Sequence, residues 1–184
     1  MLKRAALETA FQVYWNDMTK CVHAKAYWSL LHVTVCIPDI CAALETPGGN
    51  VGKRYTRWCK AHLTDPKLSA DERWNMRCKV LHQGRAKTDK QGRYTDFAFG
   101  QPAVTGAIDH LRVDGTTLHL DVGMMAEEMR LAVVNWIGEL ERDPGSTNAT
   151  AVERNLCSLV RVTPSLVPVP SAPAGLSAEI LKTN

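Results

Sequence analysis

The chain has 184 residues, of which 45% are hydrophobic and 22% charged, and its formal net charge is +3. This length suits one domain with a single core and a modest appendage, and it leaves little room for a second full domain. The apolar content is ordinary for a globular protein and no apolar stretch reaches the roughly 20 residues that cross a bilayer, so we expect a soluble protein with no membrane partner.

Three helices are predicted in the first third of the chain. Good helix formers dominate residues 2–22, where apolar side chains recur at near-helical spacing (Ala6, Ala10, Val13 and Met18). A second helix is expected over residues 24–44, because a Pro-Gly-Gly sequence follows it. Pro38 lies inside this second stretch and predicts a kink or a break about one turn earlier. A short third helix is expected over residues 53–63.

A capping box marks the start of the fourth predicted helix. Ser69 and Glu72 form the S-x-x-E pattern, which also places acidic groups at the positive end of a helix. Gly84 then ends it, so this helix covers residues 70–82. The run that follows, residues 85–100, is polar and rich in Lys, Asp and Gly, which favours an exposed loop.

A hairpin and a long helix are predicted next. Hydrophobic and polar residues alternate on both sides of Asp114 and Gly115, and Asp-Gly between alternating runs is typical of a β-hairpin, here over residues 108–122. A helix over residues 124–141 follows. Its apolar side chains form one stripe, which we interpret as core packing (Met125, Met129, Val133, Trp136 and Leu140).

Residues 144–184 are predicted to form an extended or partly disordered tail. Four prolines stand among apolar and small residues in this segment, and such a run makes neither a regular helix nor a central strand (Pro164, Pro168, Pro170 and Pro173). The sequence thus predicts a mainly α protein. It consists of a helical bundle over residues 1–143 that includes the hairpin, followed by the Pro-rich tail.

The start of the chain and its cysteines favour a cytoplasmic protein without a cofactor. The first residues are mixed in character and lack the apolar core and cleavage site of a secretion signal. Six cysteines stand singly among apolar neighbours, which is typical of reduced core thiols (Cys21, Cys36, Cys41, Cys59, Cys78 and Cys157). Cys59 and His62 have the spacing of half a zinc site, but no second half accompanies them, so no metal is expected.

Basic charge is concentrated in the middle of the chain. Residues 53–93 contain twelve Lys or Arg against four Asp or Glu, whereas the rest of the chain is net acidic. Such a segment suits an anionic partner such as RNA, and a solvated basic helix and loop is the alternative. The predicted RNA contacts come from this segment (Arg73, Lys79, Arg85 and Lys87).

Arg77 is the residue whose position suggests chemistry. The fourth helix has one side made of residues spaced by four, three and four (Ala70, Trp74, Arg77 and Leu81). A guanidinium on that side keeps its charge and needs an anion or a solvent-filled cleft, and Asp39 on the second helix is a candidate partner. His82 lies about 140° further round an ideal helix, so we expect it to meet Arg77 only indirectly, or across a dimer.

The string RCKVLHQG at residues 77–84 resembles the R-x(4–6)-H motif of the HEPN superfamily, compact helical domains that include metal-independent ribonucleases. The resemblance also covers the string CIPDI at residues 36–40 and a helical order compatible with residues 1–141. It implies an RNA-binding or RNA-cleaving homodimer, with a hydrolase activity in which a ribose 2′-hydroxyl attacks the adjacent phosphate. His82 would then be general acid or base, and Arg77, supported by Asp39, would stabilise the phosphate charge.

A non-catalytic alternative stays open at this point. Arg77 and Asp39 also fit a structural ion pair inside a helical interaction module, with His82 favoured at a helix C-terminus by the dipole. The two hypotheses differ in the expected placement of these residues. An open cleft that holds Arg77 and His82 favours the nuclease, whereas a dry Arg77 sealed by Asp39 favours the module.

Overall fold

A computed structural model describes residues 4–83, 92–101 and 109–159. Within these residues the chain is mainly helical, as predicted, with six α-helices and one three-stranded sheet. In chain order the elements are α1 (Arg4–His23), α2 (Tyr27–Glu45), α3 (Val51–His62), α4 (Ala70–Gln83), β1 (Asp96–Gly100), β2 (Arg112–Asp114), β3 (Thr117–Asp121), α5 (Val122–Arg142), α6 (Thr147–Asn155) and a 3-10 turn (Leu156–Ser158).

Helix α2 is the centre of the bundle. It contacts each of the other five α-helices that the structure describes, and most of its residues are buried. Of the kink or break predicted about one turn before Pro38, the break is wrong, because the helix continues through Pro38, which is itself buried. Contrary to the sequence reading, α2 is also long and apolar enough to cross a membrane, although half of that stretch is buried inside the fold. A core helix of a globular domain meets the same criterion.

Two clusters of buried side chains make up the core. The first lies where α1, α2, α3, α5 and α6 meet, and its largest members are aromatic (Phe11, Tyr55, Trp58 and Trp136). The second lies between α2, α4, the sheet and the start of α5 (Leu30, Leu31, Val35, Met76, Val80, Phe97 and Leu118 among others). Helix α2 contributes to both clusters and thereby joins them.

The buried face of α1 differs from the predicted one. Leu7, Phe11 and Met18 point into the core, whereas Ala6 is exposed and Val13 keeps 50% of its surface in solvent. Both stripes have helical spacing, but the larger apolar side chains remove more surface from water when buried. The predicted stripe on α5 is confirmed, since all five of its members are buried.

The predicted capping box at α4 is confirmed. Glu72 Oε2 accepts from the Ser69 backbone N–H at 2.8 Å, and Ser69 Oγ accepts from the Glu72 N–H at 3.3 Å. Arg93 then adds two charge-assisted contacts to the same carboxylate, at 2.9 and 2.6 Å. Burial raises the pKa of Glu72, but the hydrogen bonds from Arg93 and Ser69 outweigh it, so the pKa lies below its ordinary value.

The predicted hairpin is confirmed and belongs to a larger sheet. Strands β2 and β3 pair antiparallel around Gly115, whose φ of +57° suits a glycine. Strand β1 pairs parallel with β3, with Phe97 opposite Leu118, so the order is β1-β3-β2. The loop predicted for residues 85–100 is therefore wrong over β1, where the sheet pairing is with residues about twenty positions away.

The start of the predicted tail is wrong as well, because α6 packs into the first core cluster. Ser146 caps this helix, with Oγ accepting from the Ala149 N–H at 3.2 Å. Ala149 and Val152 are fully buried, and the Asn155 amide donates to the carbonyl of Leu44 at 2.8 Å. The prolines on which the tail prediction depends all follow residue 159, outside the described residues.

Val152→Ala tests whether α6 belongs to the core. Removing the buried methyl groups is expected to lower the free energy of unfolding by about 2 kcal/mol, because the lost burial and the remaining cavity add. Chemical denaturation followed by circular dichroism measures it. Thr150→Ala on the exposed side of the same helix is the control, and equal stability of the two variants would place α6 outside the cooperative core.

Candidate functional site

Arg77 and Asp39 join α4 to α2. Arg77 Nε donates to Asp39 Oδ2 at 2.8 Å, and Nη2 lies 2.5 Å from the same oxygen. The two side chains keep only 15% and 16% of their surface in solvent. Burial lowers the pKa of Arg77, but the charge and hydrogen bond of Asp39 outweigh it, so the pKa lies above its ordinary value. The site therefore holds a permanent cation that keeps only a small part of its surface in solvent.

Two aromatic rings, those of Trp74 and Tyr55, help to position the Arg77 guanidinium. The guanidinium carbon of Arg77 lies 5.1 Å from the centre of the Trp74 ring, in a cation–π contact. Trp74 in turn packs on Tyr55 of α3, with ring centres 5.3 Å apart. Gly52 permits this approach, because a Cβ there would stand 3.0 Å from the Trp74 ring. Helix α3 therefore acts on Arg77 indirectly, because Tyr55 and Gly52 contact Trp74 and Trp74 contacts the guanidinium.

His82 contacts Arg77 directly, which the ideal-helix argument did not anticipate. His82 Nε2 lies 2.9 Å from Arg77 Nη1, although the two residues start from different sides of α4. The long arginine side chain spans the difference, and His82 stands in the last turn. A guanidinium only donates, so Nε2 must be the acceptor and the imidazole is neutral in this contact, with its proton on Nδ1.

The hydrogen-bond donors and acceptors that remain unpaired on Arg77, Asp39 and His82 indicate which ligand could bind. The Asp39 oxygen Oδ1 is buried and has no hydrogen-bond partner among the described residues. The imidazole of His82 is exposed, and Arg77 retains N–H groups beyond those on Asp39 and His82. The remaining N–H groups of Arg77 suit an anionic oxygen and the imidazole of His82 can accept or donate a proton, whereas burial shields Asp39 Oδ1 from a ligand.

Cys36, a thiol near Arg77, does not add a nucleophile. Burial raises the pKa of Cys36, and the nearby charge of Arg77 only partly opposes this effect. The thiol therefore stays protonated near neutral pH and is a poor nucleophile. Cys78, the residue directly after the arginine, is partly buried beside it.

Arg73 is the most buried arginine among the residues that the structure describes. Only 3% of its surface is exposed, its Nε donates to the Leu68 carbonyl at 3.2 Å, and Nη2 lies 3.4 Å from Glu128. The prediction that Arg73 contacts RNA is therefore wrong. The actual buried stripe of α4 is spaced by three, three and four residues (Ala70, Arg73, Met76 and Val80), a pattern as helical as the one chosen from the sequence.

The other predicted RNA contacts are only partly described. Lys79 is partly buried and makes contacts of its own. Arg85 and Lys87 lie outside the described residues. The RNA contacts of the basic segment therefore remain a prediction drawn from its charge, and residues 84–91 of this segment lie outside the described residues.

Glu128 is the centre of a second charged group, which the sequence reading missed. Its Oε1 lies 2.9 Å from His110 Nε2, and His110 Nδ1 accepts from the Asp121 backbone N–H at 3.2 Å. Both imidazole nitrogens are thus occupied, and Nε2 must donate to Glu128. Burial raises the pKa of Glu128, but His110 and Arg73 outweigh it, so the pKa lies below its ordinary value. Each of these groups has its partner within the protein, so we interpret the network as structural.

Cys59 and His62 do not begin a metal site. Burial raises the pKa of the Cys59 thiol to about 12, and His62 stacks on Trp58 with ring centres 4.8 Å apart. His62 Nδ1 lies 3.5 Å from Glu139. In the part of the chain that the structure describes, no three His, Cys, Asp or Glu side chains come together in a way that could hold a metal ion.

Comparison of the chain with protein-family models, with curated proteins and with solved structures finds no match. The function is therefore inferred from the geometry around Arg77.

Glu128→Gln tests the second charged group through its pH dependence. A carboxyl whose folded pKa is depressed stabilises the fold above its unfolded pKa and loses that contribution as the pH falls through the folded value. At pH 7 the free energy of unfolding of the variant should be about 1–3 kcal/mol lower than that of wild type, because Arg73 loses its counter-charge. The gap from wild type should shrink between about pH 5 and pH 3.

Glu127→Gln is the matched control, since Glu127 pairs with Arg130 on the exposed side of the same helix. Exposed pairs contribute little, so its cost should stay below about 1 kcal/mol. Urea titrations at several pH values measure both variants. A gap for Glu128→Gln that is constant with pH would contradict the network.

Proposed function

We propose that this protein is a metal-independent, HEPN-like endoribonuclease, or an RNA-binding protein that uses the same site. The observation that carries the proposal is the direct contact of Arg77 with His82, on a guanidinium anchored by Asp39. A fixed cation next to a neutral imidazole supplies charge stabilisation and proton transfer, the two needs of phosphodiester cleavage. The concentration of basic charge in residues 53–93 supports a polyanionic substrate.

The proposed reaction is an internal transfer at phosphorus. A ribose 2′-hydroxyl loses its proton to an imidazole and forms the new O–P bond, while the bond from phosphorus to the 5′-oxygen breaks. The leaving oxygen takes a proton, and the products are a 2′,3′-cyclic phosphate and a 5′-hydroxyl. Arg77 N–H groups stabilise the charge that develops on the phosphate oxygens. Asp39 holds the guanidinium in place throughout.

A homodimer accounts for the two proton transfers. One imidazole per protomer serves as base or as acid, and a second copy of α4 facing the first supplies the other. Dimer formation is thus part of the proposal.

The second candidate is a non-catalytic interaction module. The observation that favours it is the low exposure of the pair, since Arg77 and Asp39 are each about five-sixths buried. A purely structural ion pair between Arg77 and Asp39 would have the same geometry. In that case His82 only adds one more hydrogen bond to Arg77. The two functions predict different activities for a variant in which Arg77 and Asp39 are replaced together.

Arg77→Ala and His82→Ala are each expected to reduce RNA cleavage at least about 100-fold, the loss typical of a missing acid–base or charge-stabilising group. Cleavage of a mixed single-stranded RNA pool is measured with chelator present, with the ends of the products identified. His119→Ala and Arg142→Ala on other elements are the controls and should keep full activity. Activity that survives both site substitutions ends the catalytic proposal.

The double variant Asp39→Leu/Arg77→Met separates the two candidates further. Arg77→Ala alone strands Asp39, and breaking a buried pair costs about 3–5 kcal/mol. Replacing both partners by apolar side chains is often neutral, so the double variant should fold. A nuclease loses cleavage in this folded variant, whereas a structural module keeps its partner binding. Circular dichroism and thermal unfolding establish that the protein is folded.

A further inference from the structure

Trp28 is a large aromatic side chain left in solvent. It keeps 53% of its surface exposed, whereas Trp58 and Trp136 are almost completely buried. A single exposed apolar residue needs no explanation by itself. Its surroundings and its place relative to Arg77 are what distinguish Trp28.

The Trp28 ring is held in a fixed position by His32 on the next turn of α2. The two rings meet edge to face with centres 4.5 Å apart, and His32 Nδ1 lies 2.8 Å from the Trp28 carbonyl oxygen. A carbonyl only accepts, so Nδ1 donates and the imidazole is locked in one orientation. An aromatic face that is already ordered loses little conformational entropy when a flat ligand stacks on it.

Trp28 and His32 lie on the same side of α2 as Asp39. On an ideal helix the three positions fall within about 40° of one another. Trp28 and Asp39 are separated by about 16 Å along the axis, since each residue rises about 1.5 Å. The C-terminal half of α4 packs into the same core cluster as the N-terminal half of α2, through Val80 and Leu30 among others. Because Arg77 contacts both Asp39 and His82, the Arg77 site lies on the side of α2 that also carries Trp28.

We infer that Trp28, supported by His32, is a stacking platform for an unpaired base of single-stranded RNA whose backbone reaches Arg77 and His82. This inference rests on the proposed function and adds its substrate class. Bases stack on aromatic rings without sequence preference, and in a duplex they are not accessible for it. The 16 Å distance corresponds to about five stacked nucleotides, or fewer in an extended strand. The concentration of basic charge in residues 53–93 of the sequence favours an anionic strand as the ligand.

The test uses the full chain and a single-stranded 8-nucleotide RNA, once as RNA and once as its non-cleavable 2′-O-methyl form. Trp28→Ala should weaken binding of the non-cleavable strand about 5- to 150-fold, the fold-change of losing one stacked base. For the cleavable strand KM should rise by a similar factor with kcat unchanged. Trp28→Phe should restore most of the binding. Leu131→Ala, an equally exposed apolar residue on α5, is the control and should change neither value.

The outcomes separate the platform from the nuclease. If Trp28→Ala weakens strand binding but no variant cleaves RNA, the platform stands and the proposed catalysis fails. If wild type cleaves RNA and Trp28→Ala leaves both KM and strand binding unchanged, the platform is wrong and the catalysis stands. Failure of the non-cleavable strand to bind the wild-type protein, or equal binding of a blunt RNA duplex, also overturns the platform. Binding of a protein instead of RNA through Trp28 would overturn it too.

Discussion

The central position of α2, with ten of its nineteen residues buried, is the constraint on which the rest of the fold depends. This helix contacts every other α-helix that the structure describes and contributes to both core clusters. A helix enclosed in this way needs a partner for each charged group it carries, since unpaired buried charge is costly. Glu45 accepts from the Trp136 indole at 2.8 Å, and Asp39 accepts from Arg77. The acidic groups of α2 thereby decide where α5 and α4 are held.

Helix α4 is attached on two neighbouring sides by two arginines one turn apart. Arg73 is buried against Glu128 of α5, and Arg77 pairs with Asp39 of α2. The first contact orients the helix, and the second uses that orientation to hold a cation at the edge of the core. A guanidinium with both its helix and its counter-ion fixed has little freedom left. Such preorganisation is what charge stabilisation during a reaction requires.

The features that could be predicted from the sequence depend on neighbours in the chain. The capping box of α4, the Asp-Gly turn and the apolar stripe of α5 each need only a few consecutive turns of the backbone. Strand β1 could not be predicted in this way, because its strand character depends on β3, about twenty residues later. Helix α6 carries a local signal in Ser146, which caps it, whereas the tail prediction for residues 144–184 depends only on the prolines further on.

The candidate site was predictable in its members and not in its geometry. Arg77, Asp39 and His82 were all identified from spacing and residue type, whereas their exposure was not. On α4 the four-three-four stripe and the three-three-four stripe are both helical, and each contains an arginine. Only tertiary contacts decide between them, since Glu128 is available to neutralise Arg73 and comes from a helix fifty-five residues away in the chain. Arg73 is the more deeply buried of the two arginines because the carboxylate of Glu128 lies on its side of α4.

The contact between Arg77 and His82 has a consequence for the proposed reaction. In the free protein the imidazole Nε2 accepts from Nη1, so this nitrogen cannot remove a proton from a ribose hydroxyl. A phosphate that approaches the same Nη1 is the stronger acceptor, because a charged oxygen forms the shorter and stronger hydrogen bond. Its arrival would displace Nε2 and leave the imidazole free next to the bound phosphate. In the proposed reaction the substrate itself therefore releases the base, which keeps the base inactive until a phosphate is bound.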